Sequence, residues 1–239
     1  MVQVTSNAIK FLLAAVISIF ILRCCLVLSY QSDLEGIEEF QVILVQTTLN
    51  SGSPYTSLQD APCLGVPYTP LYYHLNAGII RTLGLTESIE PIGIYRVGRA
   101  LNLLFNLITV FVVFLIGRTL KLSVTRSLIL GSIYFVFLTF HHFAIRPDSL
   151  RILLSAASIL FLLKAVTSAK TTKPFAIAGI LAALAAFAKL DSLQILAAAG
   201  LYFLFVDRPF TLSEKMTIPN CKGLIMSVIC FVMVWVLLS

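Results

Sequence analysis

The chain has 239 residues, 59% of them hydrophobic and 12% charged, with a formal net charge of +6. A soluble domain usually carries about a quarter charged residues, so an ordinary soluble globular protein is excluded. Apolar runs of about 20 residues recur and run continuously rather than alternating, which points to a polytopic helical membrane protein and away from a β-barrel.

The positive charge has no basic tract or aromatic-interleaved patch behind it, so nucleic acid is not an expected partner. Cys24, Cys25, Cys63, Cys221 and Cys230 form neither a CxxC motif nor paired spacings and read as apolar filler in or near the bilayer.

In chain order the apolar runs predict about seven spans. They lie near Ala8–Tyr30, Ile92–Ile116, Ser127–Phe143, Leu150–Val166, Phe175–Ala188, Leu193–Val206 and Gly223–Leu238. Arg23 interrupts the first run and no small-residue cleavage site follows Tyr30, so it reads as an uncleaved anchor rather than a signal peptide. The fifth and sixth spans are short and joined by Lys189-Leu190-Asp191, which fits a tight hairpin.

Three alternate connections carry Arg118, Lys121 and Arg126; Lys164, Lys170 and Lys173; and Arg208, Lys215 and Lys222. The positive-inside rule places these, with Lys10 and the N-terminus, in the cytoplasm. The opposite, extracytoplasmic side receives Asp33, Glu35, Glu38, Glu39, Asp60, Glu87, Glu90, Asp148 and Asp191.

Residues 31–91 form the one long non-spanning segment, an extracytoplasmic loop within a single membrane domain covering 1–239. Ile37, Phe40, Ile43 and Leu44 recur at helical spacing and predict an amphipathic helix from Glu35 to Leu49, ended by Gly52-Ser53-Pro54. A second helix is expected from "TPLYYHL", with Thr69 as N-cap, Pro70 in the first turn and Gly84 at the C-terminus. Its tyrosines, Tyr72 and Tyr73, suit an interfacial helix with rings at headgroup depth.

The acids of "SDLEGIEEF" lie where the first span leaves the bilayer, with Glu35 and Glu39 four apart on one helix face. They suit a helix N-terminus, which favours negative charge, or a general base or metal ligand. Cations recur on the same side: Arg96 and Arg99, Arg146 beside Asp148 with Arg151 a turn on, and Lys189 beside Asp191. Long basic side chains snorkel and the aspartates can cap helices, but ionisable groups at membrane depth more often pair or bind something. An anionic headgroup and a proton-abstracting base fit the combination. Adjacent His141 and His142 point to different helix faces and do not make a metal motif.

The order of "SDLEGIEEF", "LNSGSPY", "PYTPLYYHL", "YRVGRALNLLFNLITVFVVFLIGR", "FAIRPDSLRILLSAASILFLL" and "GILAALAAFAKLDSL" resembles the GT-C superfamily of integral-membrane glycosyltransferases. The likeness is to its protein-mannosyltransferase-like and aminoarabinose-transferase-like branch. The resemblance implies a multi-span helical bundle with interfacial helices, a polyprenyl-phosphate sugar as donor and a lipid, glycan or protein as acceptor. On it, Asp33 or Glu35 is the base for the acceptor hydroxyl, with Glu38 and Glu39 close by. Arg146 and Lys189 contact the donor phosphate; Glu39, Tyr72, Tyr73, Arg96 and Arg99 complete the substrate site. No cofactor is implied, a divalent metal being the one addition left open. The family's adjacent acidic pair is here spread over Asp33 to Glu39, and members generally have more spans, so the chain reads as the N-terminal part of such a module in the plasma (inner) membrane. A transporter or lipid-binding protein, or a noncatalytic relative, are the alternative classes; charges at one interface and the lack of a repeat speak against transport.

Overall fold

A computed structural model describes residues 6–34, 36–55, 69–86, 90–136, 142–167, 172–193 and 218–238. Among them the chain forms eight helices and no strand: α1 (Ser6–Ser29), α2 (Glu38–Ser51), α3 (Leu71–Thr82), α4 (Pro91–Thr119), α5 (Val124–Val136), α6 (Asp148–Thr167), α7 (Lys173–Ala188) and α8 (Ile218–Leu238). The all-helical class expected from the apolar runs is therefore observed. By length and composition one helix among the described residues, α4, can cross a membrane; the apolar stretches Ala14–Ser29, Val124–Phe135, Lys173–Ala188 and Ile225–Val234 are shorter.

The backbone divides into two compact units. The first comprises Met1–Val66 and Tyr72–Ser149, the second Pro67–Leu71 and Leu150–Ser239.

In the first unit α4 packs on α5 and on α1 and α2. Val16 and Val27 of α1, Leu103 of α4, Phe135 of α5 and Phe143 of the following loop share an apolar core. The Phe20 and Phe135 rings lie 4.4 Å apart between centroids. Phe11, Ile17, Ile21, Leu22 and Leu26 leave one face of α1 apolar and exposed.

The two helices of the segment 31–91, α2 and α3, end as their glycines dictate. Gly52 closes α2 at φ 81°, its N–H donating to Thr48 O, and Gly84 follows α3 at φ 69°. In this left-handed region a Cβ is penalised. Arg81 of α3 donates to the last carbonyls of α2, Thr48 O at 3.1 Å and Leu49 O at 3.0 Å.

Several expectations are corrected. Ile37 and Ile43 are exposed, and α2 instead buries Glu38, Gln41, Val42, Leu44, Val45, Thr48 and Leu49. Its inner face includes polar groups because buried partners await them. Thr69 does not cap α3; its hydroxyl donates to Phe187 O at 2.5 Å and Ala186 O at 3.3 Å, closing the end of α7 within the second unit. Phe143, expected at the end of a span, lies among the non-helical residues 142–147 before α6, where three backbone carbonyls are bound by asparagines of α4. The expected span Leu193–Val206 falls, beyond Leu193, outside the described residues.

In the second unit α7 packs along α8. Alanine-rich α7 brings the backbones close: a Cβ added at Gly179 would sit 2.1 Å from Ser227 O. Ser158 of α6 donates to Ala178 O of α7 at 2.9 Å. Gly179→Ala should therefore lose about 1–3 kcal/mol of stability by overpacking. At Gly78, where nothing lies within 4 Å of an added Cβ, alanine should gain about 0.5–1 kcal/mol in mid-helix. Thermal unfolding of both purified variants in one detergent checks the opposite signs.

Candidate functional site

The last turn of a helix leaves carbonyls without intrahelical partners, and at the end of α1 they find one side chain of α4. Arg99 donates through Nη1 to Val27 O at 3.1 Å and Tyr30 O at 2.6 Å, and through Nη2 to Ser32 O at 2.7 Å. Its Nε and Nη2 grip Glu38 Oε1 and Oε2 at 3.0 and 2.6 Å. Both side chains are 0% exposed. Glu38 also accepts the Leu34 N–H at 2.8 Å and the Ile145 N–H at 2.8 Å, one on each oxygen. All five guanidinium donors and both oxygens of the carboxylate, twice each, are thus used. The Tyr95 ring covers the guanidinium at 5.0 Å, a cation–π contact.

One helical turn further along α4, Asn102 donates to Ala144 O and to Arg146 O at 3.2 Å. Its Oδ1 accepts the Tyr72 hydroxyl at 3.2 Å. Asn106 donates to His142 O at 2.7 Å and to Ser149 Oγ at 3.3 Å, while Ser149 donates to His142 O at 2.6 Å. Loop 142–147 is therefore tied down by its carbonyls. Gly98 makes room for it: a Cβ there would meet Ile145 Cγ1 at 2.2 Å.

On this frame Arg146 stands with Asp148, Nε to Oδ2 at 3.2 Å, at about 15% exposure each. Asp33 is half-buried and accepts the Gly36 N–H at 2.8 Å and the Glu39 N–H at 3.1 Å. It thereby serves an otherwise unpaired donor in the first turn of α2. The side chains of Glu39 and Arg96 are exposed.

The residues expected at a substrate thus separate. Asp33, Glu39 and Arg96 are accessible, whereas Arg99 is spent on internal partners. Tyr72 and Tyr73 are fully buried within the protein. Tyr73 donates to Gln41 Oε1 at 2.6 Å, and the two rings meet edge to face at 5.8 Å. Burial pushes the Tyr72 phenol well above its ordinary range, so it stays a neutral donor. Glu35 and His141 lie outside the described residues. Lys189, in the second unit, pairs with Asp191, Nζ to Oδ2 at 3.5 Å. Asn102 and Asn106 escaped the sequence reading. With Arg99 they form a polar stripe at i, i+3 and i+7 inside an apolar run, and that spacing is the signal that marks them. Among the described residues no three of His, Cys, Asp and Glu come together as a metal cluster.

A profile of the family described as dolichyl-phosphate-mannose-protein mannosyltransferase matches residues 95–236, more than half the chain. The chain belongs to this family. The GT-C likeness carried by the motifs is thereby borne out. The match takes in the α4 stripe, the Arg146 loop and Lys189; the acids of 33–39 and the tyrosines of α3 precede it. No curated protein and no solved structure matches the chain.

The saturated pair makes a sharp expectation. Removing one partner of a buried pair costs about 3–5 kcal/mol, so Glu38→Ala and Arg99→Ala should each unfold well below wild type. The double variant should not recover, because the carbonyls of Val27, Tyr30 and Ser32 still lose their donor. Unfolding curves of the three variants, compared as a double-mutant cycle, test this.

Proposed function

We propose that the chain is a membrane glycosyltransferase, or the N-terminal part of one, that moves a sugar from a polyprenyl-phosphate donor to a lipid, glycan or protein acceptor. The observation that carries this reading is membership of the mannosyltransferase family over residues 95–236. About seven spans would thread the plasma (inner) membrane with the N-terminus cytoplasmic, and the reaction would run at the extracytoplasmic face.

The acceptor oxygen attacks the anomeric carbon and forms the new glycosidic bond. The bond from that carbon to the donor phosphate breaks, and its electron pair leaves with the phosphate. A carboxylate takes the acceptor proton. Glu38 is unsuited to this, since each of its oxygens already holds two donors. Asp33 and Glu35 are the proposed base, with exposed Glu39 beside them on the acceptor side. Asp33 is oriented by two backbone N–H groups, which fix the carboxylate where a hydroxyl can reach it. Arg146 and Lys189 would neutralise the charge that grows on the departing phosphate, with Arg96 at the rim. Tyr72 and Arg99 act from behind, as supports of the loop and of the acidic turn.

The step requires no cofactor beyond the donor; transfer that survives EDTA would remove the option of a divalent metal. In membranes holding the full-length gene product, Asp33→Asn or Glu35→Gln, and Arg146→Gln, should cut transfer from prenyl-phosphate sugars at least a hundredfold. Membrane insertion should stay at the wild-type level. Undiminished transfer in every one of these variants would overturn the assignment.

A further inference from the structure

Among the described residues one side chain other than glycine stands at positive φ, Lys121 at 61°. It follows α4 as Gly52 and Gly84 follow α2 and α3. The turn has the full double closure of a glycine-ended helix: the Lys121 N–H donates to Arg118 O and the Leu122 N–H to Gly117 O, both at 3.0 Å. That position favours glycine, because a Cβ is penalised there. Lysine kept at such a place, against the preference of its own backbone, calls for a role outside the turn. Arg126 is misplaced in a different way. Ser123 Oγ accepts the Arg126 N–H at 3.3 Å, which sets the arginine in the first turn of α5, where the helix dipole disfavours positive charge. Arg118 lies back over the turn and donates through Nη1 to Leu122 O at 2.6 Å.

All three cations are exposed, and no Asp or Glu occurs between Glu90 and Asp148 to neutralise them. The place of the turn names the partner. It ends α4, the helix with the length and hydropathy to cross a membrane, and so lies at a bilayer surface. Leu120 and Val124, 52% and 53% exposed, flank Lys121. Cations interleaved with exposed apolar side chains suit the boundary of headgroups and acyl chains. A soluble anion would give Leu120 and Val124 nothing to pack on. The turn is also held firmly: a Cβ at Gly117 would meet Ser127 Oγ at 2.8 Å, so α4 and α5 approach closely there.

We infer that the α4–α5 turn binds the headgroup of an anionic phospholipid, with Arg118, Lys121 and Arg126 facing its charge and Leu120 and Val124 among the acyl chains. The anion offsets the two costs noted above, the lysine in a glycine position and the arginine at a helix start. This goes beyond the transferase reading and does not rest on it. The positive-inside rule gives the same cations a part in insertion, so the decisive quantity is lipid bound to the finished protein.

Full-length protein in nanodiscs of equal phosphatidylglycerol and phosphatidylcholine is released, and its retained lipids are counted by native mass spectrometry. Wild type should retain phosphatidylglycerol about tenfold over phosphatidylcholine. Lys121→Gly removes the charge and keeps the turn, so the preference should fall about fivefold. In phosphatidylcholine alone the same variant should melt about 2 °C higher than wild type, because the Cβ penalty is gone. Lys121→Arg should keep the preference. Arg126→Gln should lower it as Lys121→Gly does, and carries the test should the glycine variant not fold. Lys173→Gln, which removes an exposed cation from the second unit, should leave it unchanged. A preference unaltered in both Lys121→Gly and Arg126→Gln overturns the site. An equal fall in Lys173→Gln overturns it as well, by assigning the attraction to net charge.

Discussion

The outer architecture of the first unit hangs on one buried ion pair, Glu38 with Arg99. A pair withdrawn from water is stable only where the remaining donors and acceptors are also met, and here every one is. The pair joins the end of α1, the link at 30–34, the start of α2, the middle of α4 and the loop at Ile145. Two apolar side chains of equal volume would fill the space. They would leave three carbonyls and two N–H groups buried without partners, which is the more costly outcome.

From that node the polar stripe of α4 continues the same logic. Asn102 and Asn106 hold the backbone of loop 142–147, so Arg146 and Asp148 project from a segment fixed by its own carbonyls. Asp33 is held likewise, by N–H groups at the start of α2. Charged groups left partly exposed are thus set on backbone restrained from within, which holds their geometry without burying them.

Much of this was legible beforehand. Continuous apolar runs mark α1, α4, α6 and α7, and Gly52 and Gly84 mark helix ends because glycine takes the left-handed turn without a Cβ penalty. The neighbours Glu38 and Glu39 show where legibility ends. They are alike in chemistry and adjacent in sequence, yet one is sealed in the core and the other exposed, because the partner that decides between them lies 61 residues away. Arg96 and Arg99 divide likewise: Glu38 and the carbonyls at the end of α1 take Arg99, while Arg96 stays exposed. Tyr72 and Tyr73 are interfacial by type, and nothing in the sequence marks the amide oxygens on α4 and α2 that take their hydroxyls inside the protein.

The stripe on α4 also bears on how the protein is made. This helix has the length and hydropathy to enter the bilayer, yet it carries an arginine and two asparagines whose partners sit on other segments. Alone in lipid those groups would be unpaired, at the cost attached to polar side chains in hydrocarbon. The partners of Arg99 on α1 and α2 precede α4 in the chain, whereas those of Asn102 and Asn106 on the 142–149 loop follow it. The loop that supplies the asparagines' partners is therefore complete only some thirty residues after the helix itself ends at Thr119.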